Sequence, residues 1–166
     1  AYVMEANQSE SDPEMQDFIS SIMPLALYLA DEARQIIRPY FRQDCEVERK
    51  GDETPVTMAD RNVEARLRQI VEKERPEDGI IGEEYGVKDK KNQYEWVFDP
   101  IDGTKSFIIG RPSFGTLIAL CESGVPILGI IDQPILDELW IGVKGWPTKF
   151  NKQNVATKSC GLLKDA

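Results

Sequence analysis

Asp99 and Asp102 are the residues of this chain whose type and spacing are best suited to chemistry. They follow an apolar run that predicts a buried strand, at whose end an unpaired carboxylate would be costly. Pro100 and Gly103 favour a tight turn that brings both carboxylates towards one point. Converging carboxylates repel each other unless a cation lies between them, and Mg²⁺ prefers such hard oxygen ligands. The Ile101 carbonyl could add a further metal ligand. The alternative to a metal site is an Asx-turn, in which the two aspartates only cap backbone amides.

Glu83 and Glu84 follow a second short apolar run, residues 80–82, in the same way. By itself this doublet is more typical of a solvated strand end. If the strand before it lies beside the strand before Asp99, Glu83 joins Asp99 and Asp102 at the same sheet edge. Three converging carboxylates would favour a metal site over three separate backbone caps.

Two threonines and a third aspartate complete the candidate site. Residues 103–105 predict the start of a short helical turn, whose backbone N–H groups can bind phosphate. The alternative is an ordinary turn with Thr104 as its N-cap. Upstream, Thr57 predicts the N-cap of a helix, and Asp60 in the first turn would favour the helix dipole. Asp60 could also accept a hydrogen bond from Thr104 and help to polarise a metal-bound water.

The amino-acid composition narrows the class of protein. A chain of 166 residues with 41% hydrophobic and 30% charged residues suits one packed domain or one lobe of a larger protein. The net charge of -9 argues against nucleic acid and anionic membranes as partners. No apolar run reaches the length of a membrane span, and residues 1–12 lack the pattern of a signal peptide. We therefore expect a soluble intracellular protein.

Histidine is absent from the sequence, which excludes Ser-His triads and His-ligated zinc. Cys45, Cys121 and Cys160 are far apart, and none has an arginine six positions later, so the loop of cysteine phosphatases is absent. We expect three buried or half-buried free thiols. The chemistry therefore depends on carboxylates, hydroxyls and metal ions.

Apolar periodicity predicts two helices that position these residues. The first spans about residues 13–39, with a kink or a new start at Pro24. Its apolar positions are Phe18, Ile22, Leu25, Leu29, Ala33 and Ile36. The second spans about residues 58–75 and is stopped by Pro76. Its apolar positions are Val63, Leu67, Ile70 and Val71.

Short apolar runs separated by turn residues predict the strands. These runs are residues 79–82, 95–98, 116–121, 126–132 and 138–143, and the more polar stretch 44–49 could be a further short strand. The spacers between the later runs are too short for helical crossovers and favour antiparallel neighbours. The predicted fold class is α+β, with two helices packed on one mainly antiparallel sheet.

Together, the motifs resemble those of the inositol monophosphatase superfamily in order and spacing. Residues 82–84 match its GEE motif, residues 99–104 its DP(I/L)DGT motif and residues 56–60 its (V/D)-T-x-x-D element. The histidinol-phosphate phosphatase branch is the most similar, and Lys105-Ser106 replaces a Thr-Asn pair common in inositol monophosphatases. The resemblance implies the N-terminal lobe of an αβαβα fold.

This resemblance implies a Mg²⁺-dependent phosphomonoesterase. The implied metal ligands are Glu83, Asp99, Asp102 and, through its carbonyl, Ile101. Thr104, helped by Asp60, and Glu83 would orient the attacking water, and the Gly103 and Thr104 amides would bind the phosphate. The implied reaction is in-line attack by a metal-activated water, without a phosphoenzyme. The implied substrate is a small phosphorylated metabolite, L-histidinol phosphate in histidine biosynthesis, with inositol phosphate as the alternative.

The same resemblance implies a domain organisation and an assembly. Residues 13–158 would form the metal-binding catalytic lobe, and residues 159–166 the start of a crossover to a missing C-terminal lobe. Before them, the polar residues 1–12 predict a disordered tail. That second lobe carries a further metal-binding aspartate in the superfamily. An alternative function is therefore a truncated, catalytically impaired member that acts through protein–protein contacts. We also expect a homodimer, in the cytoplasm or, if from a plant, the plastid stroma.

Overall fold

The computed structural model describes residues 13–43, 47–49 and 55–162. The helices are α1 (Pro13–Tyr40), α2 (Met58–Glu74) and α3 (Thr104–Ile108). The strands are β1 (Val47–Arg49), β2 (Pro55–Thr57), β3 (Gly79–Gly82), β4 (Gly86–Lys88), β5 (Tyr94–Asp102), β6 (Gly115–Glu122), β7 (Val125–Gln133), β8 (Glu138–Val143), β9 (Lys149–Phe150) and β10 (Gln153–Asn154). The tail expected at residues 1–12, the first residues of the strand expected at 44–49 and Cys45 lie outside the described residues.

Eight strands form one sheet in the order β10-β9-β8-β7-β6-β5-β3-β4. Neighbouring strands are antiparallel except β3 and β5, which run parallel with Gly82 opposite Phe98. The remaining two strands, β1 and β2, form a separate antiparallel pair. This arrangement confirms the predicted α+β class with a mainly antiparallel sheet. The short strands β2, β4, β9 and β10 were not predicted, since two or three residues carry little alternation.

Helices α1 and α2 pack on one face of the sheet and enclose the core. The four apolar positions predicted for α2 are all buried, at 4% exposure or less. The buried side chains of the sheet that face the helices include Trp96, Phe98, Ile118, Leu120, Leu128 and Ile130. The opposite face of the sheet is more exposed, with Ile131 at 53% and Trp140 at 39%.

The buried face of α1 is rotated slightly from the predicted one. Ile22, Leu29 and Ala33 are buried as expected, whereas the other three predicted positions are only half-buried at the margin of the core. The remaining buried positions of α1 are Ile19, Ala26, Ala30 and Ile37. Alanines let neighbouring backbones approach closely, and hydrophobicity alone gives them little weight. The helix continues through Pro24, and no helix among the described residues is long and apolar enough to cross a membrane.

The two described cysteines differ in environment. Cys121 is buried on β6 as a free thiol, as expected. Cys160 is exposed, so the prediction of a buried or half-buried thiol is wrong there. Its segment follows the last strand and has no regular structure, and no neighbouring element covers it.

Candidate metal and phosphate site

Parallel pairing of β3 with β5 brings two of the acidic motifs together. Gly82 lies opposite Phe98, so Glu83 and Asp99 each come one residue beyond that pair. Side chains alternate between the faces of a strand, and Phe98 and Gly82 face the helices. Asp99 therefore lies on the opposite face of β5, and Glu83 is the first residue of the turn that follows β3. This confirms that the strands before the two motifs are neighbours.

Asp102 is brought back to this edge by a β-bulge, and the predicted tight turn is wrong. Strand β5 continues to Asp102, and its register with β6 shifts between Asp99 and Asp102. Pro100 has no N–H to donate to the sheet, and bulges accommodate such residues. The buried hydroxyl of Thr116 donates a 2.8 Å hydrogen bond to the Pro100 carbonyl and holds the bulge against β6.

The Asp99 carboxylate carries the strongest electrostatic perturbation of the site. Its Oδ1 is buried and has no hydrogen-bond partner. Burial raises the pKa of Asp99 to about 7, with further contributions from the charge and hydrogen bond of Glu83 and from the charges of Asp102 and Asp60. All four carboxylates therefore interact at one sheet edge, and the interaction disfavours negative charge on Asp99.

These carboxylates fit Mg²⁺ in their chemistry. They are hard oxygen donors with an excess of negative charge, and one buried oxygen of Asp99 lacks a partner. Across residues 13–43, 47–49 and 55–162, however, no three acidic, thiol or imidazole groups are directed at a single ion position. Electrostatic coupling and geometry thus disagree: the carboxylates are close enough to interact, but their side chains do not define a coordination sphere. The ligands predicted from the sequence stay a prediction.

Thr57 and Asp60 form a capping box at the start of α2. The Thr57 backbone N–H and hydroxyl donate to Asp60 Oδ2, at 2.8 Å and 2.6 Å. Burial raises the pKa of Asp60, and these hydrogen bonds act in the opposite direction. The N-cap predicted for Thr57 is therefore confirmed.

The Thr104 hydroxyl lies between two acceptors. Its Oγ1 donates to the Ile101 carbonyl at 3.0 Å and lies 3.5 Å from Asp60 Oδ1. A hydroxyl has one hydrogen to donate, and the shorter contact is the better hydrogen bond. The structure thus brings Thr104 within reach of Asp60 and of the carbonyl predicted as a metal ligand.

Gly103 turns the chain from β5 into α3. It is the N-cap residue of α3, with φ of 89° and no side-chain capping bond, so Thr104 is not the N-cap. A Cβ here would lie 3.1 Å from the Ser113 carbonyl, which also favours glycine. The edge-on contact of Phe107 with Phe114, 5.1 Å between ring centroids, anchors α3 to the start of β6. The first amides of α3 have no acceptor within the helix, as the phosphate role requires.

Glu64 is a site residue that the sequence analysis missed. It lies on α2, is fully buried, and accepts hydrogen bonds from the backbone N–H groups of Glu84 at 2.6 Å and Tyr85 at 3.0 Å. Arg68 Nε donates to the same carboxylate at 2.8 Å. A glutamate next to Val63 within the apolar face of α2 was the available signal.

Two adjoining grooves open from the site on the sheet face away from α1 and α2. One, of about 580 Å³, is lined by Asp99 and the other, of about 370 Å³, by Asp102 and Gly103. Both grooves share the apolar side chains of Leu117, Ile131 and Trp140. The site is therefore accessible, and its floor is apolar.

Comparison with known proteins shows the family to which this fold belongs. The profile of the Inositol monophosphatase family matches residues 19–166, so the chain belongs to that family. A relative in Arabidopsis thaliana, "Bifunctional phosphatase IMPL2, chloroplastic", is 46% identical over 161 residues, which are 95% of this chain and 46% of the relative. The "Histidinol-phosphatase" of Mycobacterium tuberculosis is 45% identical over 122 residues, 73% of this chain and 47% of the relative.

A solved structure shows the same fold. An inositol monophosphatase from Zymomonas mobilis superposes with a TM-score of 0.73 at 53% identity, over 86% of this chain and 55% of that one. The chain spans about half the length of the curated relatives it matches and corresponds to their N-terminal part. Its fold is thus that of the N-terminal lobe of the family.

Proposed function

We propose that this protein is a Mg²⁺-dependent phosphomonoesterase. The observation that carries the proposal is the Asp99 carboxylate, with its partnerless buried oxygen and raised pKa beside the charges of Glu83, Asp102 and Asp60. Strongly perturbed carboxylates that converge at a cleft indicate a functional site rather than a structural one. Membership of the Inositol monophosphatase family supports phosphate monoesters as the substrate class.

The side chains of Glu83, Asp99 and Asp102 and the Ile101 carbonyl would hold the metal. When bound, Mg²⁺ supplies positive charge that stabilises the phosphoryl oxygens and acidifies a coordinated water. The amides of Gly103 and Thr104 bind the phosphate at the first turn of α3. The metal would thus neutralise the charge of the substrate phosphate, and the two amides would donate hydrogen bonds to it.

Proton transfer falls to Thr104 and Asp60. In the reaction, the Thr104 hydroxyl would donate to Asp60, 3.5 Å away, instead of to the Ile101 carbonyl, while it accepts a hydrogen bond from the attacking water. Burial raises the pKa of Asp60, which makes this carboxylate a better proton acceptor than an exposed one. The two residues together orient the water, with the help of Glu83.

The substrate that we propose is L-histidinol phosphate, hydrolysed to histidinol in histidine biosynthesis. It is supported by the 45% identical relative named histidinol-phosphatase. Inositol phosphate is the second candidate, supported by the 53% identical structure titled an inositol monophosphatase. The word "chloroplastic" in the name of the Arabidopsis relative supports the plastid stroma as a compartment, with the cytoplasm as the alternative.

A direct assay tests this function. Phosphate release from L-histidinol phosphate and from inositol 1-phosphate is measured with Mg²⁺ and with excess chelator. Asp102→Asn should abolish release, whereas Asp89→Asn, an exposed change after β4, should leave it unchanged. Mg²⁺-independent release, or full activity of Asp102→Asn, would contradict the proposal. Faster turnover of the inositol ester would favour the second substrate.

A different class of function rests on the apolar face of the sheet. Ile131 and Trp140 are 53% and 39% exposed there, and exposed apolar surface favours association. A catalytically impaired member that acts through protein–protein contacts would form a stable dimer or hetero-complex, without Mg²⁺ binding or turnover. Sedimentation velocity alongside the phosphate assay separates the two. The homodimer expected from the resemblance stays a prediction that the same measurement checks.

A further inference from the structure

We propose that Glu64 is a positioning residue for the metal site, which fixes the direction in which the backbone leaves β3 and so places Glu83. The inference rests on the proposed function, because it assigns Glu64 a role in a site for Mg²⁺. Glu64 lies on α2 and acts through the backbone of the turn that follows β3.

Two backbone hydrogen bonds join Glu64 to that turn. Its Oε2 accepts from the Glu84 backbone N–H at 2.6 Å, and its Oε1 accepts from the Tyr85 backbone N–H at 3.0 Å. The peptide groups on the C-terminal side of Glu83 are therefore held by one carboxylate. On the N-terminal side, Gly82 packs directly against the same carboxylate, where a side chain of any size would overlap it.

Arg68 lies one helical turn further along α2 and contacts both Glu64 and the end of the turn. Its Nε donates to Glu64 Oε1 at 2.8 Å, and its Nη2 donates to the Gly86 carbonyl. Two residues of one rigid helix thus hold residues 82–86 at several points. Strand pairing of Gly82 with Gly86 closes the turn, and α2 fixes its orientation relative to the helix.

The burial of this ion pair indicates positioning rather than general stability. The Glu64 side chain is fully buried and the Arg68 side chain is 13% exposed. Apolar side chains of similar volume often stabilise a fold as well as a buried ion pair does. They cannot, however, fix the direction of two backbone N–H groups. Partners that orient metal ligands commonly change metal affinity about 10- to 100-fold when they are mutated.

The matched control is Asp78, a second buried carboxylate. It is 1% exposed and accepts hydrogen bonds from Arg75, Asn92 and the Trp96 indole, at the start of β3 rather than at its end. Glu64→Gln and Asp78→Asn each remove one buried charge from a saturated hydrogen-bond cluster. Both should lower the midpoint of urea unfolding, but only Glu64 contacts the turn that carries Glu83.

The test uses the full-length protein and two readouts apart from activity. Isothermal titration gives the Mg²⁺ dissociation constant, and hydrogen exchange of the metal-free protein reports on the Glu84 and Tyr85 amides. We expect Glu64→Gln to weaken Mg²⁺ binding by about 10- to 100-fold and to expose both amides. We expect Asp78→Asn to bind Mg²⁺ as the wild type does. The protection of both amides in the wild type is measured in any case, and its absence would overturn the inference even if Glu64→Gln does not fold.

Several results would overturn the inference. These are unchanged Mg²⁺ affinity in Glu64→Gln, equal loss in both variants, unprotected Glu84 and Tyr85 amides in the wild type, and absence of Mg²⁺ binding by the wild type. A wild-type protein that binds Mg²⁺ but releases no phosphate from either ester would overturn the proposed function alone. The comparison of dissociation constants would still decide the role of Glu64.

Discussion

The Cα of Gly82 faces the carboxylate of Glu64, and a Cβ built on Gly82 would overlap Glu64 Oε1. The glycine of the Gly-Glu-Glu motif is thus required by a contact between helix and strand rather than by a left-handed backbone. Glu64 cannot retreat easily, because it is fully buried and bonded to Arg68, Glu84 and Tyr85.

Substituting this glycine should destabilise the protein. Gly82→Ala must displace the buried carboxylate and break hydrogen bonds to it, at a cost of about 1–3 kcal/mol in the free energy of unfolding. Gly142→Ala is the control, because a Cβ on Gly142 meets no atom within 4 Å. Urea unfolding compares the two. Equal stability of both variants would show that the Glu64 site adapts freely.

The metal-free protein should lose stability as the pH rises. Burial and the neighbouring carboxylates raise the pKa of Asp99 to about 7 in the folded state, well above its value in the unfolded chain. A raised pKa contributes stability that is present below the unfolded pKa and is lost as the pH rises through about 7. Urea midpoints in chelator, from about pH 5 to about pH 8, should fall in the wild type and remain flatter in Asp99→Asn.

Saturating Mg²⁺ should reverse that trend, since a cation favours the ionised form of Asp99. The gain in stability on adding Mg²⁺ should therefore be larger at about pH 8 than at about pH 5. A pH-independent effect of Mg²⁺ would show that Asp99 is not among its ligands.

Removal of the Thr57 hydroxyl should affect both stability and the pH profile. Thr57→Ala loses the N-cap of α2, which costs about 1 kcal/mol. It also removes the 2.6 Å hydrogen bond that lowers the pKa of Asp60. Loss of this bond raises the pKa of Asp60, so the acidic limb of the profile of kcat against pH should move to higher pH. Thr57→Ser keeps the hydroxyl and should restore both properties; failure to do so would point to the lost methyl group instead.

Thr116 should matter for metal binding although it is remote from the acidic side chains in sequence. Thr116→Val leaves the Pro100 carbonyl without its 2.8 Å hydrogen bond in a buried position, at a cost of about 1–3 kcal/mol. Because that bond holds the bulge between Asp99 and Asp102, Mg²⁺ affinity measured by titration should also fall. Thr116→Ser is the control that should retain wild-type affinity.

The sequence was sufficient for elements that depend on local patterns. The apolar period predicted α2 and its buried face, and the turn residues predicted β3, β8 and the antiparallel neighbours of β7. Two acidic motifs at the ends of apolar runs indicated that Glu83 and Asp99 would meet if their strands were neighbours, and the parallel β3–β5 pair meets that condition.

Features that depend on distant contacts could not be predicted in this way. The bulge at Pro100 is held by Thr116 from the next strand, and Glu64 is visible as a site residue only once β3 lies against α2. The buried face of α1 is rotated from the predicted one because alanines pack closely there. Cys160 is exposed because no element among the described residues covers it.

The parallel direction of β3 relative to β5 determines which changes in chain connectivity the site can tolerate. Were β3 antiparallel to β5, Gly82 would lie near the start of β5, about 13 Å from Asp99 by strand rise, too far for Glu83 and Asp99 to share an ion. The acidic pair is therefore encoded as much by chain direction as by residue type. Loop exchange or circular permutation that preserves this orientation should keep the pair, whereas a hairpin linking the same two strands would separate it with every side chain unchanged.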